Sequence, residues 1–167
     1  MKKNQKGFSL IELLIVVAII LIIAAIAIPN LLRARIAANQ ASAVGSVRTL
    51  NTAEVAYATS YGTGFAPLAN LGGAAGCVAA AATACLIDPI LTTGTKTGYT
   101  MAAVPGTGAG TVVAPFNSYE INGTPISVST GGVAYCSDQS GVIRYVVGVA
   151  AIGTAAGTCS AIVTVLQ

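Results

Sequence analysis

Apolar residues are distributed unevenly along the 167-residue chain. Phe8 to Ile28 is an almost unbroken run of Leu, Ile, Val and Ala, and its 21 residues would form a helix of about 30 Å. This length matches the hydrocarbon core of a bilayer, so the run predicts a membrane-spanning helix. The residues after it are richer in Ala, Gly and Thr and contain no other uninterrupted apolar run of that length.

The helical pattern continues beyond Pro29, where the missing amide proton predicts a kink or a local unwinding. Six residues before Gly62 fall on about one-third of a helical wheel and predict the face toward a globular domain. They are Ile36, Val44, Val47, Leu50, Ala58 and Tyr61. Glu54 falls on the same face, and we expect it on the surface or in a subunit contact because no second titratable group accompanies it.

The remaining sequence predicts loops followed by strands. Gly and Pro are frequent between residues 62 and 95, and six short β-prone runs bounded by Gly, Pro, Asn and Ser come after them. The runs are Tyr99 to Val104, Ser118 to Ile121, Ile126 to Ser129, Val133 to Cys136, Val142 to Val149 and Ile162 to Leu166. Asp138 to Gly141 suits a hairpin turn. We therefore predict an α+β fold in which a long N-terminal helix, half membrane-spanning and half amphipathic, packs on a small antiparallel β-sheet.

Charge is sparse and placed at one end. Only 8% of residues are charged, and Lys2, Lys3 and Lys6 account for the net charge of +3. Lysines before an apolar run favour a cytoplasmic N-terminus and export of the residues beyond the run, although Arg33 and Arg35 make the asymmetry modest. A clustered basic face is missing, which argues against specific nucleic-acid binding. Histidine is absent and carboxylates are few, so we expect neither an enzyme nor a cofactor.

Four cysteines lie after the apolar run, in the part that would be exported. An even number in an exported domain favours two disulfides. We prefer Cys77 with Cys85 and Cys136 with Cys159, because each pairing closes the shorter loop, while the two other connectivities remain formally open. A metal site is not expected, because the chain has no CxxC motif and no histidine.

Glu12 is the one charged residue inside the apolar run. A carboxylate at this position costs on the order of 3 kcal/mol on insertion scales, whereas each large apolar residue contributes roughly 0.3 to 0.6 kcal/mol. Insertion is still favoured, and an acidic group in lipid then requires a positive partner.

The residues around Glu12 carry a family resemblance. Lys2, Lys3, Lys6 and Gly7 form a short basic leader, and Phe8-Ser9-Leu10-Ile11-Glu12 comes directly after it. This string, together with Pro29, resembles the processing site of type IV prepilins. The resemblance implies that a membrane-embedded peptidase cuts between Gly7 and Phe8, that Phe8 is then N-methylated, and that Glu12 is the assembly carboxylate. Cleavage would free a cationic amine one helical turn from Glu12, and that amine could pair with Glu12 of a neighbouring subunit.

The resemblance and the patterns together divide the chain into parts. Residues 1–7 form the leader, 8–29 the transmembrane or filament-core helix, and 30–61 the amphipathic half of the helix. Residues 62–167 form the globular domain, with a loop region at 62–95 and the sheet at 96–167.

The function most consistent with these features is that of a structural subunit of a type IV pilus, built as a homopolymer of pilin subunits. The implied partners are the prepilin peptidase and methyltransferase, the inner-membrane assembly machinery and, before assembly, the lipid bilayer. The precursor would cross the inner membrane once, and the assembled pilus would be extracellular.

Several other interpretations remain open. A major pseudopilin of type II secretion would have the same N-terminus and a periplasmic location. A membrane-anchored monomeric binding module would use its sheet to hold a ligand. Ala25-Ile26-Ala27 offers a site for an ordinary signal peptidase, but the apolar run is too long for a simple signal. A plain uncleaved anchor would leave the string from Gly7 to Glu12 without a purpose.

Overall fold

The computed structural model describes residues 8–155 and 157–166. These residues form two compact units, one ending at Arg35 and a second, the globular unit, beginning at Ile36. The elements are α1 (Leu10–Tyr61), α2 (Leu68–Leu71), α3 (Pro89–Thr92), β1 (Thr95–Lys96), β2 (Tyr99–Pro105), β3 (Tyr119–Pro125), β4 (Val133–Asp138) and β5 (Ile143–Val147).

Helix α1 is continuous through Pro29. The expected local unwinding does not occur, because a proline removes one hydrogen bond while the turns on both sides keep theirs. A kink at Pro29 stays a prediction. The helix ends at Tyr61, where Gly62 takes a φ of 67° and donates its N–H to the carbonyl of Ala58 at 3.1 Å. Glycine suits this left-handed position after the last helical turn because it has no Cβ to clash.

The five strands form one antiparallel sheet in the order β1-β2-β3-β4-β5. Consecutive strands are neighbours, and the connections range from two residues between β1 and β2 to 13 residues between β2 and β3. The predicted turn at Asp138 joins β4 to β5, and the N–H of Gly141 donates to the carbonyl of Asp138 at 2.9 Å. The long helix and this sheet confirm the predicted α+β fold.

Two predicted strands are wrong. Ile126 to Ser129 lies in the β3–β4 loop, where Ser127 and Thr130 exchange hydrogen bonds through backbone and side-chain atoms. Such local bonds compete with strand pairing. Residues 162–166 form a single bridge to β5, between Arg144 and Val165, rather than a full strand. Strand β1 has two residues, and it was not predicted because so short a segment cannot show an alternation of apolar and polar residues.

The core of the globular unit lies between its part of α1 and one face of the sheet. Leu50, Tyr99 and Ile121 are completely buried there. Gly123 allows close packing at the centre, since a Cβ at this position would lie 3.1 Å from the sulfur of Met101 and 3.7 Å from Val47. A larger residue would therefore require the neighbouring side chains to move.

The residues predicted to face this core are only partly the residues that form it. Val47 and Leu50 are buried, whereas Ile36, Val44, Ala58 and Tyr61 are half-buried. The remaining buried residues of α1 are Ala43, Ser46, Ala53, Glu54 and Tyr57. Small and polar residues therefore make up much of this face, which a scale of hydrophobicity does not detect.

The expectation for Glu54 was wrong, because its side chain is completely buried. One carboxylate oxygen, Oε2, accepts the N–H of Ala66 at 2.9 Å, while Oε1 has no hydrogen-bond partner among the described residues. Burial raises the pKa of Glu54 to about 7, and the Ala66 N–H offsets part of this rise. The carboxyl group connects α1 to the segment that comes after it.

We predict that Glu54 makes the stability of the protein depend on pH. Its folded pKa of about 7 lies above the ordinary value of 4.5, so folding binds a proton between these values. The free energy of unfolding should therefore fall by on the order of 3 kcal/mol as pH rises from 4.5 to 7. Glu54→Gln should remove most of this fall, since the amide can still accept from Ala66 but cannot ionise.

Urea unfolding of the full chain in detergent, monitored by tyrosine circular dichroism, measures the free energy of unfolding at each pH. The measurement is made for the native chain and for Glu54→Gln. Asp88→Asn is the control, because the side-chain hydrogen bond from Lys96 lowers the pKa of Asp88 below 3.8 and its titration lies outside the pH window. A Glu54→Gln chain that loses stability with pH as steeply as the native chain would contradict the prediction.

Candidate functional site

The first unit is an apolar helix without a core of its own. All the large apolar side chains described between Phe8 and Ile28 are exposed, from 79% for Phe8 to 46% for Val17. Among the described residues, α1 is the one helix long and apolar enough to cross a membrane, and its most apolar 18 residues have a mean hydropathy of 3.3. A surface this large and this apolar requires lipid or another apolar surface to cover it.

Glu12 lies in the first turn of this helix. Its Oε2 atom accepts the backbone N–H of Ser9 at 3.1 Å, and the N–H of Leu13 donates to the carbonyl of Ser9 at 3.2 Å. Ser9 therefore occupies the N-cap position, and Glu12, the third helical residue, accepts its N–H as in one half of a capping box. The position also favours a negative charge because it is at the positive end of the helix dipole.

This contact with Ser9 was missed in the sequence, although the signal was present. Ser9-Leu10-Ile11-Glu12 has the S-x-x-E spacing that marks a helix start before an apolar run. One oxygen of Glu12 thus has a backbone partner within the chain. The rest of the capacity of the carboxylate is available for a partner from outside.

The other predicted site residues lie in both units. Phe8 precedes α1 and is exposed, and Pro29 lies inside α1. Gly7 lies outside the described residues, so the processing site is described only on the Phe8 side. The cysteines are in the globular unit, in the pairing that the sequence analysis preferred, with Cα–Cα separations of 6.3 Å for Cys77–Cys85 and 5.9 Å for Cys136–Cys159.

The chain after β5, residues 148–155 and 157–166, is the C-terminal segment, and it covers the face of the sheet opposite to α1. Cys136 on β4 and Cys159 in this segment are both completely buried. Glu120 on β3 is also buried, and its carboxylate accepts the hydroxyl of Thr158 at 2.8 Å and the N–H of Cys159 at 3.2 Å. The covalent bond and the buried carboxylate therefore fix the same stretch of chain.

Two further contacts extend this covering. The Asn122 amide donates to the carbonyl of Gly153 at 3.2 Å. Gly153 has a φ of 66°, and a Cβ there would lie 2.7 Å from the Cβ of Cys136, so only glycine fits without displacement. Sequence analysis did not assign roles to Glu120 or Gly153, because their partners are more than 15 residues away along the chain.

No group of three or more Cys, Asp or Glu side chains that could hold a metal ion is present in the part of the chain that the structure describes. Asp138 lies beside Glu120 in the register of β3 and β4. Its carboxylate instead pairs with Arg144 at 3.2 Å and accepts the N–H of Ser140 at 2.9 Å.

A long N-terminal helix with an exposed apolar half and a small antiparallel sheet is the architecture of pilins. A family model described as the prokaryotic N-terminal methylation motif matches residues 2–28. The type IV wide pilus major component PilA4 of Thermus thermophilus is 70% identical over 37 residues, which are 22% of this chain and 28% of that protein. The type IV major pilin protein PilA of Myxococcus xanthus is 46% identical over 54 residues, 32% of this chain and 24% of that protein.

These similarities connect the matched stretches of the chain with type IV pilins and with the N-terminal methylation motif. They are limited in extent, because the chain spans about a quarter of the length of the curated relatives that it matches. No solved structure matches the chain.

We predict that the two disulfides differ in their contribution to stability. Loop-closure entropy gives about 3.5 kcal/mol for the 23-residue separation of Cys136 and Cys159, and about 2.6 kcal/mol for the separation of 8 between Cys77 and Cys85. Cys136→Ala/Cys159→Ala should lower the free energy of unfolding more than Cys77→Ala/Cys85→Ala does. The gap between the two variants should exceed the difference in loop-closure entropy, because loss of Cys136–Cys159 also loosens the segment that covers Glu120.

Urea unfolding of the two double variants in detergent measures this order. Hydrogen exchange at the amide of Cys159, or of the alanine that replaces it, reports on the Glu120 contact. Equal stability of the two variants, with an amide at position 159 that stays protected in both, would contradict the prediction.

Proposed function

We propose that this protein is a structural subunit of a type IV pilus and polymerises through its N-terminal helix. The observation that carries the proposal is Glu12, a carboxylate on a helix whose neighbouring side chains are apolar and exposed. A helix that only anchored a protein in lipid would have no use for this charge. The N-terminal methylation motif and the named pilus components among the relatives support the same function.

Processing would create the partner that Glu12 lacks. Hydrolysis of the bond between Gly7 and Phe8 removes the leader and frees the α-amino group of Phe8, which is a cation at neutral pH. Methylation of that nitrogen leaves the charge in place. In the mature chain the amine lies near the start of α1, where Glu12 accepts the N–H of Ser9, and about one turn from Glu12.

In the filament, the amine of one subunit would pair with Glu12 of its neighbour. Desolvation of two charges offsets much of their attraction, so such a pair adds little net stability. A neighbour displaced along the helix axis would leave both charges unpaired in an apolar surrounding, at a cost of several kcal/mol. The pair therefore sets the axial register of the polymer, while the apolar side chains supply most of the association energy.

Before assembly, the subunit would span the inner membrane with its N-terminus in the cytoplasm, where the leader lysines are retained. The globular unit would then be on the oxidising side, in agreement with its two disulfides. Prepilin peptidase, its methyltransferase activity and the inner-membrane assembly machinery are the partners that this route requires. The names of the relatives favour an extracellular pilus over a periplasmic pseudopilus.

We predict that Glu12→Gln is inserted, is processed and has an intact helix start, yet yields at least tenfold fewer filaments. The glutamine oxygen can still accept the N–H of Ser9, so this variant separates the charge from the capping contact. Glu12→Ala should be at least as defective, while Glu12→Asp keeps the charge and should retain part of the yield. Filaments sheared from cells and quantified by immunoblot give the measurement, and a normal yield from Glu12→Gln would rule out the register role.

We also predict that the mature chain begins at Phe8 and carries one methyl group on its α-amino nitrogen. Mass spectrometry of purified filaments measures both features. Gly7→Val is the matched variant, because it places a branched side chain beside the bond to be cut while leaving the mature sequence intact, and it should accumulate as precursor. A mature chain that retained residues 1–7, or began after Ala27, would contradict this prediction.

A further inference from the structure

Two arginines lie just beyond the apolar half of α1 and have no partner within the described chain. Arg33 and Arg35 are both exposed. The two ion pairs formed among the described residues are Lys96–Asp88 and Arg144–Asp138, and neither arginine takes part in them. The positive-inside tendency disfavours arginine on the exported side of a span, so their presence there calls for a physical reason.

A second copy of the chain offers few carboxylates for these arginines. Of the five acidic side chains, Glu54, Glu120 and Asp138 are buried inside the globular unit. Asp88 pairs with Lys96 at 2.9 Å. Glu12 caps its own helix and is the register carboxylate of the proposed function. A different kind of molecule is therefore the better source of complementary negative charge.

The depth of the two arginines matches a headgroup layer. At about 1.5 Å per residue, Arg33 lies roughly 7.5 Å and Arg35 roughly 10.5 Å beyond Ile28 along the helix. Each headgroup layer is about 5 to 8 Å thick outside the hydrocarbon core. Helical side chains tilt toward the N-terminus, which here is the membrane side, so both guanidinium groups can reach back into that layer.

The angular positions of the arginines also favour lipid. Residues two apart on an α-helix project about 200° from each other, so Arg33 and Arg35 lie on opposite sides of α1. A protein partner that docks on one face of the helix would contact one of them. Lipid headgroups surround a single membrane-spanning helix and can contact both.

We propose that Arg33 and Arg35 bind the phosphates of anionic phospholipids in the headgroup layer at the C-terminal end of the membrane-spanning segment. These contacts hold the unassembled subunit at a defined depth. Glu12 comes 16 residues before Ile28, roughly 24 Å along the helix, so this depth places Glu12 in the opposite half of the bilayer, closer to its headgroup layer than to the bilayer centre. The inference rests on the membrane-spanning part of the proposed function.

The test uses the full chain reconstituted in phosphatidylcholine vesicles with spin-labelled phosphatidylglycerol or spin-labelled phosphatidylcholine. Electron paramagnetic resonance gives the ratio of the two association constants at the protein surface. The native chain should prefer phosphatidylglycerol, and Arg33→Gln/Arg35→Gln should lower this preference by up to about fivefold for each arginine removed. Arg33→Lys/Arg35→Lys should keep most of it, and 1 M salt should abolish it.

Arg48→Gln is the matched control. Arg48 is also exposed on α1 but lies roughly 30 Å beyond Ile28, outside the headgroup layer. The leader lysines are the same in all these chains, so differences between variants report on the arginines. A preference that is unchanged in Arg33→Gln/Arg35→Gln, or lowered equally by Arg48→Gln, would overturn the proposal. DNA binding that is lost in the double variant while the lipid preference stays would assign the arginines to nucleic acid instead.

Alkaline extraction of the same vesicles separates this inference from the proposed function. A chain that resists extraction and shows no lipid preference contradicts only the role of the arginines. A chain that is extracted does not span the bilayer, and the membrane-spanning part of the proposed function would then be wrong as well.

Discussion

Glu12 lies on a helix whose neighbouring side chains are apolar and exposed, so its carboxylate has to find partners along the backbone or on another molecule. The N–H of Ser9 is the backbone partner. It satisfies one oxygen and stabilises the start of α1, but it does not neutralise the charge. A cation has to be supplied, and cleavage before Phe8 would supply one at the right distance. Processing, helix capping and polymer register can therefore depend on the same few atoms.

The globular unit handles its own carboxylates differently. Glu120 and Asp138 are buried with several donors each, and they tie the C-terminal segment and the β4–β5 turn to the sheet. Glu54 is buried with a single donor and no cation among the described residues, and this burial raises its pKa to about 7. With these groups buried, the exposed charge along the exported part of α1 is positive, and that asymmetry is what makes a lipid phosphate the natural partner of Arg33 and Arg35.

The matched family model covers residues 2–28, and the similarity to the two known pilus components extends over 37 and 54 residues. This distribution has a physical basis. A helix that must insert, be cut and pack against copies of itself has few permitted sequences, because each position meets lipid, peptidase or another helix. The sheet and its loops need only fold and remain soluble, and many sequences satisfy that requirement. The globular unit can therefore differ between filaments whose subunits polymerise in the same way.

The sequence alone determined the features that depend on neighbours along the chain. The length of the apolar run predicted the membrane-spanning helix. The string from Gly7 to Glu12 predicted the cleavage of the leader and the assembly role of Glu12. The hairpin turn at Asp138 was predicted from local turn chemistry. Tertiary structure decided the features that depend on distant partners: Glu54 is buried because the segment at Ala66 folds back over it, and Glu120 holds a segment almost 40 residues further along the chain. The prediction of a strand at Ile162 to Leu166 was wrong for the same reason. A strand needs the edge of another strand to pair with, and only tertiary packing determines how much of the edge of β5 is free for pairing.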